Sequence, residues 1–395
     1  MFNKKAGALM VSLCLVLITG CWDSKELNDQ ALQMGAGIDL DENGVIVLSN
    51  QFALNSKGPS SEGNQQQASY TEVTKGENVF QASVNMQTRV TRKINRGQRT
   101  SLVLGDKVAR QGIKKFIDIY TRVSEAQLRN DLLVVKDGLA AELLRSTTPF
   151  GSLSQREYFK LHQAQDEIAD TTFMNLLRSV NGHTKSGAIV PALEHIRAPF
   201  SKSQDEKKEM QFAYAGIGIF DNDLKLQGFL NNEEASDVLW LLKRGHTQSI
   251  SAYIQEGYGL VTAHLSRLKC KMKPVFGENI EFRIALSGNA DLMDNGTNLD
   301  LFQESNIKLI EQTMEKKAEK QFTQLIKKIQ TEFKTDILEF GDTIFRKHPK
   351  QWRSLENRWE AEFPKVAVSV KVNIKVKRIG LTGAPVQMQE EEIKK

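Results

Sequence analysis

No apolar run beyond the first twenty residues escapes a charge for long enough to cross ~30 Å of hydrocarbon, which takes ~20 residues as a helix. A transmembrane helix within the body of the chain is therefore not expected. Cysteine is scarce, with three in 395 residues. Cys14 and Cys21 belong to the N-terminal segment, so Cys270 stands alone and no intrachain disulfide framework is available. Six histidines are scattered singly, so a metal site would need chance convergence in three dimensions. Charge of one sign is also lacking. The formal balance is +5, with basic and acidic residues interspersed, which argues against nucleic acid as a partner and allows only a mild attraction to anionic lipid.

Catalytic spacing is missing as well. No HExxH, CxxC pair, GxSxG or Walker lysine occurs. "GHTKSG" at 182–187 lacks the Gly-Lys-Ser/Thr order of a phosphate loop and reads as a plain loop. Asp291, Asp294 and Asp300 in "DLMDNGTNLD" miss the EF-hand spacing, and a helix cap at Thr297 or Asn298 explains them more simply. Cys270 lies in the alternating run "RLKCKMK" without an accompanying histidine motif, so a small packed residue is expected rather than a catalytic thiol. With no nucleophile, base and oxyanion set, the chain reads as a non-enzyme without catalytic, metal or cofactor-binding residues.

What is present begins at the N-terminus. Lys4 and Lys5 precede an almost wholly apolar stretch from Ala6 to Ile18, followed by Thr19-Gly20. This is the charged, apolar, small-residue layout of a secretory signal. The order Ile18-Thr19-Gly20-Cys21 is sharper, because lipoprotein processing needs a thiol directly after small residues. The sulfur is alkylated by diacylglycerol before cleavage makes the cysteine residue one. Cys21 is thus the expected lipidation site, and further acylation would anchor the chain stably at ~0.8 kcal/mol per buried methylene. Cleavage would remove both lysines and leave a formal charge of +3.

The 375 residues from Cys21 onward suit two or three domains. "MGAGIDL" and "VIVLSNQFAL" read as strands joined at Asn43-Gly44, a dipeptide favoured in tight hairpins. Residues 55–68 are a polar loop. A helix from Asn78 carries Phe80, Val84 and Val90 as its expected core face. Beyond it "TSLVLG" reads as a buried strand, and Val108, Ile113, Phe116 and Tyr120 follow at helical spacing. "LLVVKD" is another strand, with Asp137 as the cap of the helix "GLAAELLR". Residues 152–180 look helical, with Tyr158, Leu161, Ile168, Phe173 and Leu177 as core candidates. "AIVPALEHI" closes the region, its Pro191 favouring an edge or a connection over a central strand. The basic group Arg89, Arg92, Lys93, Arg96 and Arg99 reads as a solvated helix end.

"SKSQDEKKE" at 201–209 marks the main boundary. A second hairpin turns at Asp221-Asn222-Asp223, and "NEEASDVLWLLKRG" is a helix with acids first and Lys243-Arg244 last, matching the helix dipole. Two longer strands follow around 258–273 and 278–291. A long amphipathic helix runs from Leu299 to about Phe333. Finally "KVAVSVKVNIKVKR" alternates strictly, with Val366 to Val376 on a buried face and Lys371 to Lys377 on a wet one. The division is 1–20 signal peptide, 21–200 N-terminal α/β region, 210–380 C-terminal α/β domain and 381–395 polar tail.

"GCWDSKELNDQALQMGAGID", "LVLGDKVARQGI" and "DILEFGDTIFRKHPKQWRSLENRWEAEFPKVAVSVKVNIKVKRIG" together resemble Ger(x)C-type spore germination lipoproteins. Asp336, Phe340, Gly341, Pro349, Trp352 and Trp359 are the matching positions of the last stretch. The likeness runs from Cys21 to Gly380, while 150–300 adds little specificity. It implies an α+β protein of three mixed α/β domains, each a mainly antiparallel sheet with packed helices, behind a lipoprotein signal peptide. It also implies the C subunit of a nutrient germinant receptor, held by lipid on the outer face of the inner spore membrane beside membrane A and B subunits. The resemblance transfers no catalytic residue. By local chemistry alone, Gly341 should end one helix and Pro349 start another segment, with Trp352 and Trp359 anchoring a core from one helical face. Two other functions stay readable: a solute-binding lipoprotein capturing a small nutrient itself, and, less readily, a wall-lytic enzyme.

Overall fold

The structure is a computed structural model that describes residues 29–54, 69–122, 129–146, 157, 172–184, 186–197, 210–383 and 389–394. Its strands, in chain order, are β1 Gln30–Leu40, β2 Ile46–Ala53, β3 Ser69–Gly76, β4 Lys93–Asn95, β5 Ser101–Leu104, β6 Asp131–Lys136, β7 Ala188–Arg197, β8 Met210–Phe220, β9 Leu226–Leu230, β10 Thr247–Ile254, β11 Gly259–Phe276, β12 Ile280–Asn295 and β13 Ala367–Arg378. The helices are α1 Val79–Arg89, α2 Asp106–Gln111, α3 Lys114–Arg122, α4 Ala140–Arg145, α5 Phe173–Asn181, α6 Asn232–Leu241, α7 Glu304–Lys328, α8 Phe340–Lys347, α9 Pro349–Leu355 and α10 Trp359–Glu362. Among them no helix is long and apolar enough to cross a membrane.

The strands form two mixed sheets with helices packed on them. The larger has the order β3-β2-β1-β5-β6-β7-β8-β9, with β4 beside β1. Antiparallel hairpins make its two flanks, and β1, β5, β6 and β7 run parallel in its centre. Both faces of that centre are apolar. Leu102, Leu104, Leu132 and Val134 enter one core, while Val103, Leu133 and Val135 join Leu143 and Leu144 of α4 in another. Near-continuous apolar runs such as "LLVV" are what a parallel strand covered on both sides requires.

The smaller sheet, β10-β11-β12-β13, is antiparallel except for the parallel pair β12/β13. The crossover between those two strands contains α7, which runs on through a wider π turn at Ile329–Phe333. One core joins this half to the larger sheet. It gathers Ile189, Ile217 and Ile219 together with Trp240, Phe282, Phe322 and Ile374. The large sheet also continues past the charged stretch 201–209, since β7 pairs antiparallel with β8. That stretch itself lies outside the described residues.

Several local expectations change. Phe80 and Val84 of α1 are 62% and 49% exposed, and Val79, Ala82 and Met86 are buried instead. The helix seats the face with Ala82 at its centre, where Thr74 of β3 donates from Oγ1 to the Ala82 carbonyl at 2.8 Å. Bulk at Phe80 and Val84 would hold helix and strand apart there. Asp137 does not cap α4. Its first two N–H groups donate to the carboxylate of Asp39, about a hundred residues earlier, at 2.8 and 2.9 Å. Thr297 and Asn298 do not cap α7, which begins after Gln303; the Asn295 side chain instead accepts from the Thr297 N–H and hydroxyl. The wet face of β13 and the packed Cys270, 6% exposed, are as expected.

Edge strand β13 has an unexpected cover. The N–H groups of Val372, Ile374 and Val376 donate to Glu319, Glu315 and Glu311 of α7 at 3.2, 2.9 and 2.8 Å. Four helical residues advance ~6 Å and two strand residues ~6.7 Å, so carboxylates at i, i+4 and i+8 stay in register with alternate strand N–H groups.

Candidate functional site around two buried aspartates

Asp336 follows the π turn, 6% exposed. Its carboxylate accepts from the N–H groups of Leu338, Phe340 and Gly341 at 3.2, 3.1 and 2.8 Å and from the Trp359 indole N–H at 2.9 Å. Burial pushes its carboxyl up, opposed by those four donors. The loop so closed carries Glu339 in the left-handed region at φ 58° and starts α8 directly at Phe340. Gly341 therefore lies in the first turn of α8 and does not end a helix, because the Asp336 carboxylate starts that helix from outside. It lies against the indoles: a Cβ there would stand 2.8 Å from Trp359 Nε1 and 3.1 Å from Trp352 Cη2. Pro349 does begin α9. Trp352 and Trp359 sit on separate helices, α9 and α10, yet meet edge to face with centroids 5.6 Å apart, both buried. Phe340 stacks on Phe282 of β12 at 4.1 Å. All six signature positions thus belong to one helical corner built on the smaller sheet, and the Gly187 N–H ties the Asp336 carbonyl to the larger sheet at 3.2 Å.

Asp39 plays the matching part in the first half. It closes "MGAGID", is 2% exposed, and caps α4. Burial raises its pKa to about 6, against the pull of the two backbone donors. Gly105 of "LVLGDKVARQGI" passes so close that a Cβ would stand 2.0 Å from Asp39 Oδ1. Two separate stretches of the resemblance therefore meet at one carboxylate. Neither aspartate was singled out as a buried cap, because each cap is completed by distant residues.

A third buried carboxylate, Asp237 of α6, accepts from Gln248 and Gln321 side chains at 2.6 and 2.7 Å. Burial raises its pKa to about 6. A folded pKa above the unfolded value of 3.8 means stability fully present below that value and lost as pH rises toward about 6. Asp237→Asn removes this titration. Wild type should therefore lose roughly 2 kcal/mol relative to the variant between about pH 4 and pH 7, read as the difference between two urea series. A constant difference across that range would overturn the assignment.

Between α5 and α8 runs an open cleft of about 520 Å³. Its polar walls include Arg178, His183 and Arg244, and an Arg244–Glu339 ion pair of 2.7 Å lies along it. His183 stacks on Phe345 with centroids 4.9 Å apart. Of "GHTKSG", the described residues Gly182, His183, Thr184, Ser186 and Gly187 line this cleft. The Cys270 thiol is pushed up to about 11 by burial, so at neutral pH it is not a thiolate. Among the described residues no three His, Cys, Asp or Glu side chains gather at metal-ligand spacing. Cys21, the expected lipidation site, lies outside the described residues.

Comparison with known proteins assigns both halves. Residues 23–195 match the family described as "Spore germination protein N-terminal domain", and residues 215–380 match "Spore germination B3/GerAC like, C-terminal". The chain belongs to the Ger(x)C family of spore germination proteins. Among its relatives in Bacillus subtilis (strain 168), spore germination protein KC is 24% identical over 98% of this chain and 99% of its own length. Spore germination protein B3 is 24% identical over 93% and 96%. The crystal structure of the GerBC protein superposes with a TM-score of 0.57 at 19% identity, covering 90% of this chain and 99% of that one, a likeness of fold. The family division falls at the charged stretch 201–209, which the β7/β8 pairing spans within one sheet.

Proposed function

We propose that this Ger(x)C chain is a noncatalytic, lipid-anchored subunit of a spore nutrient germinant receptor, acting through contacts with membrane A and B subunits. The observation that carries the reading is the pairing of two spore germination family domains over nearly the whole chain with the sequence Ile18-Thr19-Gly20-Cys21 directly before them. Acylated Cys21 would hold the folded part at the outer face of the cytoplasmic membrane, which becomes the inner membrane of the spore. The three buried carboxylates support a structural use of the chain's acids, because each is already occupied by donors. The cleft between α5 and α8, polar and open, suits a protein partner better than a buried substrate.

Cys21→Ala should leave the fold intact, move the chain from washed membranes to the soluble fraction and abolish nutrient-triggered germination in a sporulating host stripped of redundant receptors. Retention in membranes would reveal another anchor. Normal germination after complete deletion in the same host would sink the receptor role.

A further inference from the structure

The basic group Arg89, Arg92, Lys93, Arg96 and Arg99 is used by neither buried-aspartate corner. No acidic residue lies between Glu77 and Asp106, the stretch that holds all five cations. Arg99 is 5% exposed rather than solvated as the sequence suggests, so it is not part of the surface. Arg89 is exposed and pairs with Glu72 at 3.3 Å. Arg92 and Lys93 are exposed and Arg96 is half-buried, and among the described residues no acid pairs with any of these three.

The stretch 90–96 is strapped along one side of α1. Gln87 donates from Nε2 to the carbonyls of Val90 and Arg92 at 3.1 and 2.9 Å, and its Oε1 accepts from the Ile94 N–H at 3.1 Å. Arg96 donates from Nη2 to Ser83 Oγ at 2.6 Å. Phe80, Ser83, Val84 and Gln87 stand at i, i+3, i+4 and i+7, which places them on one side of the helix. The exposed Phe80 and Val84 therefore share that side with the cations. An apolar ridge flanked by cations, with no acid interposed, fits the surface of an anionic bilayer. There the apolar side chains enter the headgroup boundary and the cations meet phosphate.

The place of this face in the chain selects a bilayer over an acidic protein. β4 runs beside the start of β1, with Lys93 opposite Gln30. Gln30 is nine residues after Cys21, so it cannot lie further than about 32 Å from the acylated residue. Asp29, exposed beside Gln30, takes one charge from the balance. We propose that the Phe80–Val84 ridge and the cations Arg92, Lys93 and Arg96 dock the folded chain onto the anionic bilayer that holds its lipid. The docking rests on the anchored reading of Cys21 and adds to it which side of the molecule faces the membrane. Each cation near an anionic surface strengthens binding roughly fivefold, so the face alone holds the chain too loosely to survive washing. Beside a tether the same attraction acts at an effective concentration of about a millimolar, which suffices to orient it.

The test places the full chain, processed in a lipid-attaching host, on vesicles of phosphatidylglycerol or of phosphatidylcholine. Phe80→Cys carries an environment-sensitive fluorophore; Cys270 is 6% exposed and Cys21 is capped by lipid, so the label reports on position 80. Emission should be at least about twofold brighter on phosphatidylglycerol. Molar salt, with a Debye length of ~3 Å, should return it to the phosphatidylcholine level. Adding Arg92→Glu and Lys93→Glu should abolish the difference and leave the urea midpoint unchanged, because both positions are exposed. The same label at Tyr258→Cys, 78% exposed between β10 and β11, should be equally dim on both vesicles. Cosedimentation separates the docking from the anchor. A chain that pellets with both vesicles but does not brighten on phosphatidylglycerol overturns the docking alone and leaves the face to a protein partner. Equal brightening at Tyr258→Cys, or in the double glutamate variant, overturns it as well. A chain that pellets with neither vesicle overturns the anchor and the docking together.

Discussion

Asp336→Ala is expected to destabilise the chain by about 4–6 kcal/mol, enough to unfold the smaller-sheet half under mild conditions. Four donors converge on this one carboxylate, and each donor left unmet in a dry interior costs about 1–3 kcal/mol. Some relaxation will follow, because the cavity of about 210 Å³ beside Asp336 and Trp359 can admit water to part of the corner. Even so, the loss is comparable to the ~5–15 kcal/mol that separates most folded domains from their unfolded chains. Trp352 and Trp359 supply the readout, since both report the corner by fluorescence during urea unfolding. Asp336→Asn keeps one acceptor oxygen but places an amide donor against N–H groups, so it should fall between wild type and Ala. A midpoint for Asp336→Ala within about 1 kcal/mol of wild type would show that the carboxylate is not what closes the loop.

The simultaneous change of Glu311, Glu315 and Glu319 to Ala should cost roughly 2–4 kcal/mol and make the chain self-associate more strongly than wild type. Hydrogen bonds to charged acceptors contribute about 1.5–3 kcal/mol each when dry. Only Glu311 is nearly buried here, at 7% exposure, so solvent screening lowers the sum. The second consequence is larger. Without the glutamates β13 presents three free N–H groups beside an alternating valine and isoleucine face, a template for pairing with another chain. Light scattering against concentration should show added association for the Ala triple relative to wild type, whereas the Gln triple, which retains acceptor oxygens, should behave as wild type does. An Ala triple that scatters like wild type would mean that some other element covers the edge.

Much of the fold could be read along the chain because the relevant forces act over short distances in sequence. Strict alternation in "KVAVSVKVNIKVKR" gave β13 and its buried face. The hairpins at Asn43-Gly44 and Asp221-Asn222-Asp223 followed from turn residues, and in both the leading aspartate accepts from the turn N–H groups. The helix α6 was marked by its acids, and Asn231 with Glu234 indeed forms a reciprocal cap. The core face of α1 was misjudged because Val79, Phe80, Ala82, Val84 and Met86 offer apolar residues on two faces. Side-chain size suggested one face, and the close approach to β3 selected the other.

Asp39 and Asp336 were not legible as caps for a different reason. A local cap lies within three residues of the N–H groups it serves, whereas Asp39 serves a helix a hundred residues later and Asp336 is completed by Trp359. The glutamate ladder is hidden likewise. Glutamates four apart on a helix usually mark a solvated face, and only the crossover from β12 through α7 to β13 brings them to a strand edge. Arg99 reads as solvated from its basic neighbours, whereas the fold leaves it 5% exposed.

By itself the sequence determined which segments are strands and helices, where the hairpins turn and the family resemblance, because periodicity, turn chemistry and signature motifs are properties of contiguous residues. The tertiary structure decided which face of α1 is buried, where the lone carboxylates go and how the β13 edge is covered. Each of these depends on desolvation, and how far a group is desolvated is set by the elements that pack over it from elsewhere in the chain.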